Sequence, residues 1–282
     1  MMHIASHGAP WFISIIVLPM NRPIGIFDSG VGGLTVARAV KDLLPQEAIV
    51  YFGDTAHLPY GDKEAATIQA HAIRICDFLL QKHCKVILIA CNSASAAADD
   101  LVRMHVGKRA AVLNVIDPMI DYIGGQFQGQ IIGLIGTQQT VQSGVYEKKI
   151  QALCLDIQLK ALATPLLVPM SEAGFTQSIS QEVIYSYLQS PALRGIKALI
   201  LGCTHYPVIK TQIQAFYQHQ LAVIDATVIT ALYLQHFLVR HRLLSTHQKA
   251  QDHFMVSALT EDFEKATRIF FGHSVHLEQL EV

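Results

Sequence analysis

Two cysteines occupy corresponding places in the two halves of this 282-residue sequence. Cys91 directly follows the apolar run 86–90, and Cys203 follows the apolar run 198–201 and one glycine. Such runs are typical of buried parallel strands, and in parallel α/β sheets ligands bind beyond the carboxyl ends of the strands. The next helix presents free backbone amides at that edge. Each half would therefore place one thiol at a ligand-binding edge.

Two thiols that face each other across a cleft suit inversion at a carbon atom. Removing a proton from one face of a stereocentre and returning one to the other face requires a base and an acid on opposite sides. A cysteine pair can fill both roles without a cofactor, because a thiol pKa of about 8.5 leaves some thiolate at neutral pH. The alternative is that both are buried structural cysteines, since free cysteine is among the residue types most often found inside proteins.

An internal repeat favours the chemical interpretation. Three segments recur in the same order: 24–29 with 132–137, 59 with 169, and 85–91 with 197–203. Apolar strands resemble one another by chance, but three matches in one order at nearly one spacing indicate two related halves. The repeat thus predicts a cleft to which each half contributes one cysteine.

Three ionisable side chains lie close to these positions. Asp28 ends the first apolar run, where its carboxylate could orient the first thiol or receive a substrate ammonium group. Glu172 lies three residues beyond the repeated proline, and His205 lies two residues after Cys203, which gives the second half its own acid–base pair. Asp28 could instead cap a turn, and His205 could be a structural histidine.

The pattern of elements predicts an α/β protein with parallel sheets. Short apolar, β-branched runs alternate with helical segments, and the runs are 24–27, 48–52, 86–90, 111–115, 131–135, 198–201 and 221–224. This alternation implies right-handed β-α-β units. One helical stripe over 63–82 buries Cys76, and a similar one spans 228–243.

We expect two pseudo-symmetric α/β domains with the active site in the cleft between them. The first domain consists of residues 23–115 and 225–282, because the strand-like segment 253–256 most simply returns to the first sheet. The second consists of residues 116–224, and residues 1–22 form an extension outside the fold.

Composition excludes several classes of protein. The 21 basic and 22 acidic side chains nearly balance, which argues against a general nucleic-acid binder. The apolar stretch 11–20 is shorter than the roughly 20 residues of a spanning helix and no basic residue precedes it, so we expect a cytoplasmic protein without membrane association. Five cysteines without Cys-x-x-Cys spacing predict reduced thiols, and 14 histidines without zinc spacing predict no metal site.

The glycines at positions 30, 32 and 33 resemble part of a dinucleotide fingerprint. The third glycine of Gly-x-Gly-x-x-Gly is Thr35 here, which argues against a dinucleotide cofactor. The interpretation that remains is a tight turn whose amides hold the carboxylate of a small substrate.

Six segments resemble, in order, motifs of the bacterial glutamate racemase family, within the aspartate/glutamate racemase superfamily. They are Asp28 to Thr35, Gly53 to Gly61, Ala90 to Ser95, Gly136-Thr137 with Thr140-Val141, Val168 to Glu172, and Leu201 to Pro207. The resemblance covers residues 23 to about 226. One departure is Ser93, where family members commonly have threonine, so the hydroxyl is kept and a methyl group is lost.

The resemblance implies a cofactor-independent interconversion of L- and D-glutamate that supplies D-glutamate for peptidoglycan. Cys91 and Cys203 would be the acid/base residues, assisted by Asp28, Glu172 and His205. Family members are often homodimers, and we expect one here. The residues implied to contact the amino acid are Asp28, Ser29, Pro59, Tyr60, Gly61, Asn92, Ser93, Thr137, Thr140, Thr204 and His205.

Other functions remain open at this point. The mechanism does not itself select glutamate over aspartate or another acidic amino acid. Two lobes around a cleft also suit a non-catalytic binding protein that closes on a small ligand. A thiol–disulfide switch between Cys91 and Cys203 is disfavoured by the family resemblance, because a substrate must fit between the sulfur atoms.

Overall fold

The computed structural model describes residues 20–172, 177–246, 251–280 and 282. Most of the expected N-terminal extension, residues 1–19, lies outside the described residues. In the described part of the chain, no helix has the length and apolar character needed to cross a membrane.

The described strands form two sheets in which every pairing is parallel. One sheet has six strands in the order β10-β9-β2-β1-β3-β4, and the other has four in the order β6-β5-β7-β8. This architecture confirms the predicted α/β class. In chain order the strands are β1 (Ile24–Asp28), β2 (Ile49–Gly53), β3 (Val86–Ile89), β4 (Ala111–Asn114), β5 (Ile131–Gly136), β6 (Gln158–Ala163), β7 (Ala198–Gly202), β8 (Ala222–Asp225), β9 (His253–Val256) and β10 (Glu278–Gln279).

Helices connect the strands and cover the sheets. They are α1 (Leu34–Leu43), α2 (Ala65–Gln81), α3 (Asn92–Val106), α4 (Ile116–Gln126), α5 (Gln138–Gln142), α6 (Val145–Ala152), α7 (Leu167–Glu172), α8 (Gln177–Leu188), α9 (Lys210–Phe216), α10 (Ala226–Arg240) and α11 (Glu261–Phe270). Short 3-10 turns lie at Thr55–His57, Tyr60–Asp62, Pro191–Leu193 and Tyr206–Ile209.

Each predicted apolar run forms a strand, and most of these strands are buried along their whole length. Two strands were missing from the prediction. β6 lies at a sheet edge with half-exposed and exposed residues, so it shows no continuous apolar run. β10 is an edge strand of two residues, which is too short for a recognisable pattern.

The predicted helical stripes correspond to α2 and α10. Cys76 is fully buried in α2, as predicted. α10 begins earlier than predicted because the Asp225 side chain accepts a hydrogen bond from the backbone of Thr227 and caps the helix. It also ends earlier, and Arg242 beyond it adopts a left-handed φ of 57°.

The C-terminal part of the described chain joins the first sheet. β9 pairs with β2, and β10 pairs with β9. One hydrophobic core includes residues of both sheets, such as Ile26 and Ile132, so the sheets pack around shared apolar side chains. The boundaries 23–115, 225–282 and 116–224 stay a prediction.

A buried ion pair joins segments that are distant in sequence. Lys85 is fully buried, and its Nζ contacts Glu47 Oε2 at 2.6 Å and the carbonyl of Leu243 at 2.7 Å. The other oxygen of Glu47 accepts a hydrogen bond from the backbone of Ser245 at 2.8 Å. Lys85 directly precedes β3, at the end of the strand opposite Cys91. The ion pair therefore connects the segment that follows α10 to the amino end of the first sheet.

Candidate active site

Strand register places the functional segments side by side. In the first sheet Phe27 of β1 is paired with Ile89 of β3, so Asp28 at the end of β1 and Cys91 just beyond β3 meet at one edge. In the second sheet Gly136 of β5 is paired with Gly202 of β7. The residues that follow, Thr137 and Cys203, therefore also share an edge.

Cys91 lies at the N-terminus of α3. Its sulfur accepts a hydrogen bond from the backbone of Ala94 at 3.4 Å and lies 3.6 Å from the hydroxyl oxygen of Ser29. The residue is buried. This position orients the thiol and surrounds it with polar hydrogens from the helix end.

Cys203 belongs to a chain of three polar groups. Its sulfur is 3.7 Å from Nδ1 of His205, and Nε2 of the same ring is 3.0 Å from Oε1 of Glu172. His205 is almost fully buried, whereas the Glu172 side chain is 22% exposed. The imidazole therefore links the buried thiol to a carboxylate that reaches solvent.

Both thiols line the same cavity. The other lining residues are Ser29, Leu58, Pro59, Tyr60, Gly61, Asp62, Asn92, Ser93, Thr137, Pro165, Val168, Pro169, Thr204 and His205. The cavity volume is about 30 Å³, which is room for roughly two water molecules. A larger ligand enters only when the walls move apart.

Three of the residues expected at the site lie behind the cavity wall. Asp28 is fully buried, and its carboxylate accepts hydrogen bonds from the Thr204 hydroxyl at 3.1 Å and from the backbone of Gly30 at 2.9 Å. Thr140 accepts a hydrogen bond from Thr137 at 3.0 Å, and Glu172 contacts His205, which lines the cavity. These groups support lining residues rather than facing the cavity themselves.

Hydrogen bonds join the two halves around the cavity. The hydroxyl groups of Ser93 and Thr137 are 2.8 Å apart, and the Thr35 hydroxyl donates to the carbonyl of Thr204 at 3.2 Å. Together with the bond from Thr204 to Asp28, these contacts hold the edge of one sheet against the edge of the other.

The turn at residues 28–35 has a different role from the one expected. Gly30, Gly32 and Gly33 do not line the cavity. A Cβ atom at Gly32 would lie 2.5 Å from the His205 ring, and one at Gly33 would lie 2.4 Å from Cβ of Asp28. These glycines are needed because the turn packs directly against the side chains that form the site.

The two thiols have different electrostatic surroundings. Burial, together with the nearby negative charge of Asp28, raises the pKa of Cys91 to about 12, against the lowering effect of the hydrogen bonds from Ala94 and to Ser29. Cys91 is therefore a neutral thiol at neutral pH.

His205, in contrast, is protonated at neutral pH. Burial lowers its pKa, but the hydrogen bonds with Cys203 and Glu172 outweigh that effect and raise the pKa to about 10. The positive charge of this imidazolium lies beside the sulfur of Cys203. Burial raises the pKa of Asp28, and the positive charge of His205 acts in the opposite direction.

A polar network that sequence analysis missed holds Tyr60 from behind. The Tyr60 hydroxyl donates to Asp54 Oδ2 at 2.5 Å, and the other Asp54 oxygen contacts Ser257 at 2.9 Å and His57 at 2.7 Å. Asp54 lies in the segment 53–61 that carries the family resemblance, so sequence analysis could have identified it as a site residue. Ser257 follows β9, and its contact depends on the tertiary structure.

The same network contains a possible set of metal ligands. Ligand atoms of Asp54, His57 and His71 all lie within 4.8 Å of one another. Both Asp54 oxygens already accept hydrogen bonds, and the Arg74 guanidinium is 3.0 Å from Nδ1 of His71. A cation would have to displace these donors, so the cluster fits a hydrogen-bond network around Tyr60 better than a metal centre.

The described strands form two separate parallel sheets, and each half contributes one thiol to a single cavity, which is the architecture of a two-lobed α/β enzyme. The family model described as Asp/Glu/Hydantoin racemase matches residues 34–234, and the chain belongs to this family. It is accordingly a racemase, an isomerase.

Relatives match the chain over most of its length. It is 38% identical to a glutamate racemase of Neisseria meningitidis serogroup C over 264 residues, which are 93% of this chain and 96% of that protein. It is 39% identical to a glutamate racemase of Chlorobium phaeobacteroides over 252 residues, covering 89% and 92% of the two chains. The crystal structure of glutamate racemase from Francisella tularensis in complex with D-glutamate matches with a TM-score of 0.87 and 35% identity, covering 93% and 98%.

Proposed function

We propose that this protein is a glutamate racemase that interconverts L- and D-glutamate by a two-base mechanism. The observation that carries the proposal is that Cys91 and Cys203, each from a different half, line one cavity. The three relatives named above are glutamate racemases, which supports glutamate as the substrate.

In one direction the Cys203 thiolate removes the proton from Cα. The S–H bond forms as the C–H bond breaks, and the imidazolium of His205 stabilises the thiolate before the transfer. The Cys91 thiol then donates its proton to the opposite face of Cα, which leaves a thiolate at Cys91. In the reverse direction Cys91 is the base and Cys203 is the acid, so no cofactor or net change of charge is required.

Backbone and side-chain donors around the cavity hold the substrate. The start of α3 and the side chains of Ser29 and Asn92 offer hydrogen bonds to carboxylate oxygens, whereas the Thr204 hydroxyl lines the wall and donates to Asp28. Pro59, Tyr60, Gly61, Ser93, Thr137 and His205 complete the wall. Asp28, Thr140 and Glu172 act on the substrate through the residues that they contact.

The direct test is exchange at Cα. Purified protein in heavy water, without added cofactor, should incorporate deuterium at Cα of either enantiomer of glutamate and bring the optical rotation to zero. Binding of glutamate without exchange would contradict catalysis and favour a binding protein. Faster exchange with aspartate than with glutamate would instead assign the enzyme to another acidic amino acid.

Cysteine variants test the two-base mechanism. Cys91→Ser and Cys203→Ser should each reduce racemisation by at least about 100-fold, the lower end of a general acid–base contribution. Cys154→Ser is the matched control, because Cys154 is an exposed free cysteine that does not line the cavity. Near-normal turnover of either active-site variant would contradict the assigned role of that thiol.

The biological setting is proposed from the family resemblance and from the presence of free thiols. We place the reaction in the cytoplasm, where thiols stay reduced, and assign its D-glutamate to peptidoglycan synthesis. The homodimer also stays a prediction, which sedimentation of the purified protein tests directly. A monomer at the protein concentration of the activity assay would contradict the predicted homodimer.

A further inference from the structure

Asn92 is held by a residue from the other half of the molecule. It is the first residue of α3, directly after Cys91, and it lines the cavity. Its side-chain oxygen accepts a hydrogen bond from the hydroxyl of Tyr146 at 2.8 Å. Tyr146 lies in α6, is 1% exposed and does not line the cavity.

In this bond the oxygen is the end of the Asn92 amide that meets Tyr146. An asparagine side chain has one accepting oxygen and one donating NH2 group. Since Tyr146 occupies the oxygen, the NH2 group is the end left for a ligand. Among the described residues, no hydrogen bond from that nitrogen is found. A free NH2 group in a cavity wall suits a carboxylate oxygen of an acidic amino acid.

We infer that Tyr146 is a positioning residue that fixes the amide of Asn92 so that its NH2 group meets the substrate carboxylate. The inference rests on the proposed function. Tyr146 comes from the half that carries Cys203, whereas Asn92 adjoins Cys91. The correct orientation of this donor therefore depends on the two halves being packed together.

The hydroxyl of Tyr146 is suited to this task. Burial, followed by the negative charge associated with Cys203, raises the pKa of Tyr146, so the phenol keeps its proton and remains a donor. Without the hydroxyl, the Asn92 amide is free to turn its oxygen toward the cavity. An acceptor would then face an anionic carboxylate, and binding would weaken.

A double-mutant cycle tests the assignment. The dissociation constant of D-glutamate is measured by titration calorimetry for the wild type, Tyr146→Phe, Asn92→Ala and the double variant, together with KM and kcat for the active proteins. Tyr146→Phe should raise the dissociation constant and KM about tenfold and change kcat much less, as expected for loss of one charge-assisted hydrogen bond. In the Asn92→Ala background the same change should have no further effect.

Tyr217→Phe is the matched control for removal of a buried tyrosine hydroxyl. The Tyr217 hydroxyl has no hydrogen-bond partner among the described residues and lies outside the cavity wall, so KM and the dissociation constant should not change. Urea unfolding of each variant shows whether it is folded at the temperature of the measurement.

Two results would overturn the assignment while leaving the racemase intact. One is that Tyr146→Phe raises the dissociation constant of D-glutamate by the same factor in the wild type and in Asn92→Ala. This would show that Tyr146 acts independently of Asn92. The other is unchanged binding and KM in Tyr146→Phe. A wild-type protein that neither binds nor racemises glutamate would instead contradict the proposed function, and this inference with it.

Discussion

The sulfur of Cys203 lies 3.7 Å from Nδ1 of His205, and this contact distinguishes the second thiol from the first. Cys91 has a helix N-terminus and the Ser29 hydroxyl beside it, but among its hydrogen-bond partners in the described structure there is no ionisable side chain. The two thiols therefore have unequal surroundings, and the difference depends on Glu172 behind His205.

Glu172→Gln should change the pH dependence of the reaction. The imidazolium form of His205 is present below its pKa of about 10 and is lost as the pH rises through that value. Glu172 raises this pKa, so its neutralisation should lower the pKa and move the alkaline fall of kcat/KM to lower pH. Rates measured from pH 6 to pH 10 in both directions check this. An unchanged alkaline limb would contradict a role for Glu172 through His205.

Gly32→Ala should disable the site without changing any polar group. The added Cβ would lie 2.5 Å from the His205 ring and 2.7 Å from the Thr204 hydroxyl, so these side chains must shift. A displacement of about 1 Å is expected to reduce kcat/KM roughly 100-fold. Gly125→Ala is the control, because nothing lies within 4 Å of the added Cβ there. If both variants kept wild-type kcat/KM, close packing of this turn would not matter for catalysis.

Ser93→Thr should tighten substrate binding. The Ser93 hydroxyl contacts Thr137 at 2.8 Å, and threonine keeps that hydroxyl while adding the methyl group common in the family. Burial of one methyl group contributes about 0.8 kcal/mol, which corresponds to about a fourfold lower KM. Steady-state kinetics with both enantiomers measure the change. A higher KM would mean that the wall has no room for the methyl group.

Lys85→Met should destabilise the fold and leave KM unchanged. Glu47 would lose its partner while remaining 2% exposed, and breaking a buried pair in this way costs about 3–5 kcal/mol. Urea unfolding measures the loss of stability. Lys85→Met combined with Glu47→Leu removes both charges and should recover part of the loss. Equal stability of the single variant and the wild type would contradict the importance of this pair.

Much of the fold could be predicted from the sequence because buried parallel strands are short apolar runs, as β1, β3 and β7 are. β6 escaped prediction because an edge strand is half-exposed and carries a mixed pattern. The turn at Gly32 shows a second limit. Its glycines indicated a tight turn, but only the packed structure shows that the His205 ring occupies the space of the absent side chain.

Periodicity and spacing along the chain were enough to predict the α/β class and the two cysteines at corresponding strand ends, because both are local properties of a sequence. Which groups support the cysteines depends on how separate elements pack. Tyr146 reaches Asn92 and Ser257 reaches Asp54 only after separate elements pack together. Each is a hydrogen bond between residues far apart in sequence, and such a bond leaves no local pattern.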